Sequence, residues 1–138
     1  MTERHQSAGL NRKRVMAVDD APANLMVLAS FLRHDSIVVR TVDCGAEALA
    51  AYQDFAPDLV FMDLSMPEID GFAAAAAIRQ FEAANGWVRA PIVALTAFAV
   101  DEVLTERINV SMDAHLSKPV RKADIMRILH TYGFSDDL

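Results

Sequence analysis

The stretch Leu59-Val60-Phe61-Met62-Asp63-Leu64-Ser65-Met66-Pro67 decides the fold. Four apolar residues end in the carboxylate of Asp63, and Pro67 interrupts the chain soon after. An apolar run this short reads as a strand buried on both faces, which puts Asp63 at its carboxyl end. In an open parallel α/β sheet that end is the edge at which ligands bind.

Three further segments repeat the construction. Val15-Met16-Ala17-Val18 ends at Asp19-Asp20, Pro91-Ile92-Val93-Ala94-Leu95 ends at Thr96, and Ala114-His115-Leu116-Ser117 ends at Lys118-Pro119. Ile37-Val38-Val39 reads as a β-branched strand without a polar tip. Helical segments separate them. The first spans residues 22–33, with Pro22 suited to its first turn and Asp20 or Ala21 as cap. The others are expected over 45–55, 71–85 (an alanine-rich run led in by Gly71 and ended by Asn85-Gly86), 100–109 and 121–132. Residues 1–12 read as an N-terminal tail, 13–133 as one domain and 134–138 as a short C-terminal tail. Alternating strands and helices predict a five-stranded parallel sheet with helices on both faces, in an order the pattern alone does not fix.

At 138 residues the chain is sized for one domain with a real core. Its net charge of −6 argues against nonspecific nucleic-acid binding, and Arg12-Lys13-Arg14 reads as a solvated lead-in to the first strand. No apolar run reaches the length of a membrane span, and the N-terminus lacks the apolar core of a secretory signal. A single cysteine, Cys44, leaves no internal disulfide and fits a reducing cytoplasm. His5, His34, His115 and His130 lack metal-ligand spacing.

The polar tips define a chemistry. Carboxylates crowded at one edge raise one another's pKa, and a hard divalent cation offsets that cost. Lysine adds a point charge and threonine a hydroxyl, so the set forms a cradle for a phosphoryl group. Asp63, central among them, is the natural nucleophile.

With these residues in this order, the sequence resembles the receiver domain of two-component response regulators over about residues 13 to 133. Val18-Asp19-Asp20, the run from Phe61 through Asp63 to Pro67-Glu68-Ile69-Asp70-Gly71, Ala94-Leu95-Thr96-Ala97 and Leu116-Ser117-Lys118-Pro119 carry the likeness. The resemblance implies a flavodoxin-like, doubly wound five-stranded sheet in the order 2-1-3-4-5 with five helices. It implies that Asp63 accepts a phosphoryl group from a histidine kinase or histidine phosphotransfer protein. Mg²⁺ (or Mn²⁺) would be held by Asp20, Asp63 and the backbone carbonyl of Ser65, with Asp19 acting through water. Thr96 and Lys118 would bind the phosphoryl oxygens, and Thr96 would switch together with the residue at His115, where the family more often has tyrosine or phenylalanine. Ser111 stands where the family often has glycine, so it either carries strain or the turn differs.

Ser65 and Phe98 occupy positions from which receivers tune hydrolysis, and bulky Phe98 is expected to prolong the aspartyl phosphate. The first helix is apolar beyond one stripe, which makes Leu25 and Met26 candidates for an exposed docking patch. The expected protein is a single-domain response regulator, monomeric or weakly dimeric, with output to a downstream protein through helix four, strand five and helix five. It would participate in its own phosphoryl transfer without being an enzyme. Two alternatives are a receiver detached from a hybrid kinase or acting as a relay intermediate, and a phosphorylation-independent interaction module. A Mg²⁺-dependent phosphatase is disfavoured because Ser65 stands where such enzymes carry a second aspartate. A flavin protein is disfavoured because Asp19-Asp20 would repel its phosphate.

Overall fold

A computed structural model describes residues 12–66 and 70–134. Most of the expected N-terminal tail, three residues of the run after Asp63 (Pro67, Glu68 and Ile69) and positions 135–138 lie outside the described residues. The elements are β1 (Lys13–Val18), α1 (Pro22–Phe31), β2 (Ile37–Val42), α2 (Ala48–Phe55), β3 (Leu59–Asp63), α3 (Gly71–Asn85), β4 (Ile92–Thr96), α4 (Glu102–Ser111), β5 (Ala114–Ser117) and α5 (Lys122–Thr131). A single 3₁₀ turn, Gly45–Glu47, leads into α2. All strands pair in parallel, in the order β2-β1-β3-β4-β5. This is the flavodoxin-like arrangement the resemblance implied, and its order reverses between β1 and β3.

Strand periodicity divides the core into two layers. Met16, Val18, Val60, Met62, Ile92 and Ala94 pack with Tyr52, Ile78 and Ile108 beneath α2, α3 and α4. Val15, Ala17, Phe61, Val93 and Leu95 face the other way, against Leu28, Ile125 and Leu129 of α1 and α5. Both faces of β3 and β4 are therefore covered, which is why those strands read as unbroken apolar runs. Phe134 also packs in the second layer, which extends the packed region one residue past the expected boundary.

Local chemistry explains several helix ends. Asp70 and Asp101 cap α3 and α4 by accepting from the backbone N–H of Ala73 and Leu104. Gly86 ends α3 in the left-handed conformation that glycine adopts without a steric penalty. α4 starts and ends two residues later than the sequence implied, because its cap is Asp101. Ser111 is its last residue. It is buried, and the backbone there does not enter the positive-φ region, so the turn differs and Ser111 carries no strain.

Far from the strand tips, at the amino edge of β4, lies a polar brace around the buried Glu82. The Arg79 guanidinium donates to the carbonyls of Ser111 (2.9 Å) and Ala90 (2.7 Å) and to the carboxylates of Glu82 (2.9 Å) and Asp113 (2.9 Å). Glu82 is 4% exposed and also accepts from the Tyr52 hydroxyl and the Ala90 N–H. One planar fork thus ties α3 to the ends of α4 and β4. Removing it strands a buried carboxylate. Arg79→Ala is expected to destabilise the fold by about 3 kcal/mol in urea titration. A loss under about 1 kcal/mol would mean the pair behaves like an exposed one.

Candidate functional site

The sheet's register brings the polar tips together. Val18 is level with Met62, so Asp19 follows β1 at the height of Asp63. Asp63 is level with Leu95, so Thr96 lies one residue beyond it, and Ser117 is level with Thr96, so Lys118 lies one further still. Backbone bonds fix these ends: Asp19 N–H to Val42, Leu64 N–H to Leu95 and Lys118 N–H to Thr96, at 2.8 to 3.1 Å. The Lys118-Pro119 peptide is cis.

Carboxylate oxygens of Asp19, Asp20 and Asp63 lie within 4.8 Å of one another. Asp19 and Asp63 are buried, while Asp20 is exposed at the rim. The Lys118 ammonium bridges the buried pair, 2.9 Å from Asp63 and 3.1 Å from Asp19. Burial pushes the Asp63 carboxyl above its ordinary 3.8; the hydrogen bond from Lys118 opposes the rise and the charge of Asp19 adds to it. Burial alone would pull Lys118 down, but the hydrogen bonds and negative charges of Asp63 and Asp19 together outweigh it and raise the ammonium above its ordinary value. The two shifts differ in origin: burial dominates at Asp63, whereas the neighbouring carboxylates raise Lys118. With three carboxylates to one ammonium, the cluster also carries excess negative charge. Three carboxylates of this geometry are a donor set suited to a hard oxygen-seeking cation such as Mg²⁺.

The other expected residues surround this cluster. Ser65 is exposed and donates its backbone N–H to Asp63. Thr96 is buried, and its hydroxyl oxygen accepts from the Phe98 N–H at 3.0 Å. Phe98 itself is 61% exposed, and His115 is exposed on β5. Met26 is 74% exposed on α1. Leu25 corrects the reading. It is 7% exposed, packed in the layer beneath α1 and α5. Leu25, Leu28 and Leu32 follow helical spacing toward the sheet, which leaves Met26 and Val27 on the outer side. The exposed apolar pair is therefore Met26 and Val27.

Two residues acquire roles that sequence spacing did not supply. Gly71, read as a helix lead-in, packs so closely under β3 that a Cβ there would overlap the carbonyl oxygen of Asp63. Asn24, on the first turn of α1, donates its side-chain amide to Asp19 at 3.2 Å. Only a polar residue placed five positions after Asp19 hinted at it.

The raised Asp63 pKa sets a sign for stability. In the window between the ordinary 3.8 and the raised value, the folded chain binds a proton that the unfolded chain does not. Ionised Asp63 is therefore a destabilising charge at neutral pH, and that cost is relieved as pH falls through the raised pKa. Asp63→Asn is expected to raise the Tm of the metal-free protein at neutral pH, with the gain shrinking on acidification. A lower Tm for the variant would contradict this account of the charge balance.

Comparison with known proteins agrees with this geometry. The family described as response regulator receiver domain matches residues 15–130. The sensor histidine kinase GacS of Pseudomonas protegens is 36% identical over 128 residues, covering 93% of this chain and 14% of GacS. The chain thus spans a small part of the hybrid kinases it matches. The chemotaxis protein CheY of Halobacterium salinarum is 30% identical, covering 83% of this chain and 91% of CheY. Among solved structures, the Saccharomyces cerevisiae Ssk1 receiver domain, crystallised with the histidine phosphotransfer protein Ypd1, superposes with a TM-score of 0.82 at 30% identity, covering 89% of this chain and 90% of that one. The receiver domain of sensor histidine kinase PA1611 from Pseudomonas aeruginosa, solved with a magnesium ion in its active-site cleft, gives 0.76 at 30% identity, covering 88% and 97%. Three strand-end carboxylates, the buried two of them bridged by one lysine, on a 2-1-3-4-5 sheet, together with these matches, show that the chain belongs to the response regulator receiver domain family.

Proposed function

We propose that this receiver accepts a phosphoryl group on Asp63 from a phosphohistidine donor, a histidine kinase or a histidine phosphotransfer protein. The observation that carries the reading is the Asp63 carboxylate, flanked by Asp19 and Asp20 and bonded to Lys118. A carboxylate oxygen of Asp63 attacks phosphorus while the P–N bond breaks and its electron pair returns to the donor imidazole. Lys118 then balances charge on the transferred oxygens, joined by the Thr96 hydroxyl. Asp20, Asp63 and the Ser65 carbonyl would hold Mg²⁺ (or Mn²⁺) directly, with Asp19 acting through water. Such an ion, when bound, neutralises charge on phosphoryl oxygens.

An apolar surface beside the site supports docking of a protein donor. A cavity of about 330 Å³ opens between α1 and the β5–α5 turn, lined by Val27, Leu28, Leu95, Pro119 and Val120 next to Asp19 and Lys118. Val27 lines it from α1, and the neighbouring Met26, exposed on the same helix, offers an adaptable contact to a helical partner. Output to a downstream protein would run through α4, β5 and α5, where Val103 and His115 are exposed. Bias between Thr96 and His115 conformations would carry the signal. The same chemistry serves a stand-alone regulator, a relay intermediate or one portion of a hybrid kinase, monomeric or weakly dimeric. A cytoplasmic setting accords with the single thiol, and no helix among the described residues is long and apolar enough to cross a membrane.

Phe98, exposed beside Thr96, has no group to orient a hydrolytic water, and Ser65 is short, so a long-lived aspartyl phosphate is expected. Intact mass after incubation with a small phosphodonor tests the reading. A divalent-cation-dependent gain of one phosphoryl group, lost in Asp63→Asn and shorter-lived in Phe98→Glu, is the expected result. An equal gain in Asp63→Asn would overturn the assignment of the acceptor, and an unchanged lifetime in Phe98→Glu would sink the shielding role.

A further inference from the structure

We propose that Asn24 is a positioning residue for the acidic cluster: its side-chain amide orients Asp19 and thereby sets how tightly the site holds a divalent cation. The inference rests on the metal reading of the site given above. Asp19 is 1% exposed and both of its oxygens are engaged. Oδ1 accepts the Ala21 N–H at 2.9 Å, and Oδ2 accepts the Asn24 amide at 3.2 Å and the Lys118 ammonium at 3.1 Å.

These donors are not equivalent. The Ala21 N–H is fixed in the backbone and holds one oxygen only. Lys118 is shared with Asp63 at 2.9 Å, so any group that claims its ammonium at Asp63 draws it from Asp19. Asn24 then remains as the side-chain donor on Oδ2 among the described residues. Its amide fixes a carboxylate without lending positive charge, which an arginine or lysine at that position would do at the expense of a cation. Hydrogen bonds that orient direct metal ligands typically govern affinity by about 10- to 100-fold, so a bond to Asp19, which acts through water, belongs at the low end of that range.

The position suits the role for a second reason. Asn24 is exposed on the first turn of α1 and contributes nothing to either core layer. α1 has no side-chain cap of its own; Pro22 opens it and Asp19 accepts from its N-cap residue, Ala21. The start of the helix and the orientation of the carboxylate are thus coupled through Asp19, and the Asn24 amide belongs to the carboxylate side of that coupling.

The test is calorimetric titration of the full chain with Mg²⁺ alone, with metal-free Tm measured in parallel. Asn24→Ala is expected to weaken Mg²⁺ binding about tenfold, with the metal-free Tm little changed. Asn24→Gln retains a side-chain amide on the same turn and is expected to recover most of the lost affinity. Wild-type affinity in Asn24→Ala, or no recovery in Asn24→Gln, overturns the role of Asn24. A wild-type chain that binds no Mg²⁺ fails differently, because it removes the metal reading of the site and this inference with it.

Discussion

One ammonium facing three carboxylates at the carboxyl edge of the sheet is the constraint on which the rest depends. Lys118 contacts Asp19 and Asp63 together, yet Asp63 still titrates above its ordinary value because burial outweighs the lysine. A site left short of positive charge is poised to gain it, and the sheet is built to hold it so. Parallel strands end at one edge, and their register places Asp19 beside Asp63 while Thr96 and Lys118 step progressively outward. The two apolar layers supply the stability against which this repulsion is held.

Stability and chemistry occupy opposite ends of the same strands. At the amino edge of β4, the Arg79 fork satisfies the buried Glu82 and gathers α3, α4 and β4. There every charge meets an opposite charge. At the carboxyl edge the charges are left uneven. Gly71 links the acceptor to the helix beyond it, since only a residue without a Cβ lets α3 start against the Asp63 carbonyl.

Much of this was legible in the sequence because its signals were local. Short apolar runs ending in Asp19, Asp63, Thr96 and Lys118 marked the strands, and a strand's tip follows from its end. What eluded the reading required contacts between distant segments. The Arg79 brace joins residues 79, 82, 90, 111 and 113, none of which carries a sequence signature. Leu25 departs from the sequence expectation because α1 is apolar nearly all round, and composition does not say which stripe meets the sheet. The register of α1 against β1 decides it, burying Leu25 and leaving Met26 and Val27 outside. Beyond its spacing from Asp19, nothing in the sequence marks Asn24, and only the fold puts its amide on Asp19.

The central claim, that the site lacks positive charge and accepts it as a divalent cation, is tested most directly by Tm as a function of Mg²⁺ concentration. A cation that binds the folded chain stabilises it by RT ln(1 + [L]/Kd), so Tm rises continuously with added ion. The account predicts such a rise in the wild-type chain and its loss in Asp20→Asn, whose exposed carboxylate lies at the rim of the cluster. A Tm indifferent to Mg²⁺, or a rise of equal size in Asp20→Asn, would contradict it.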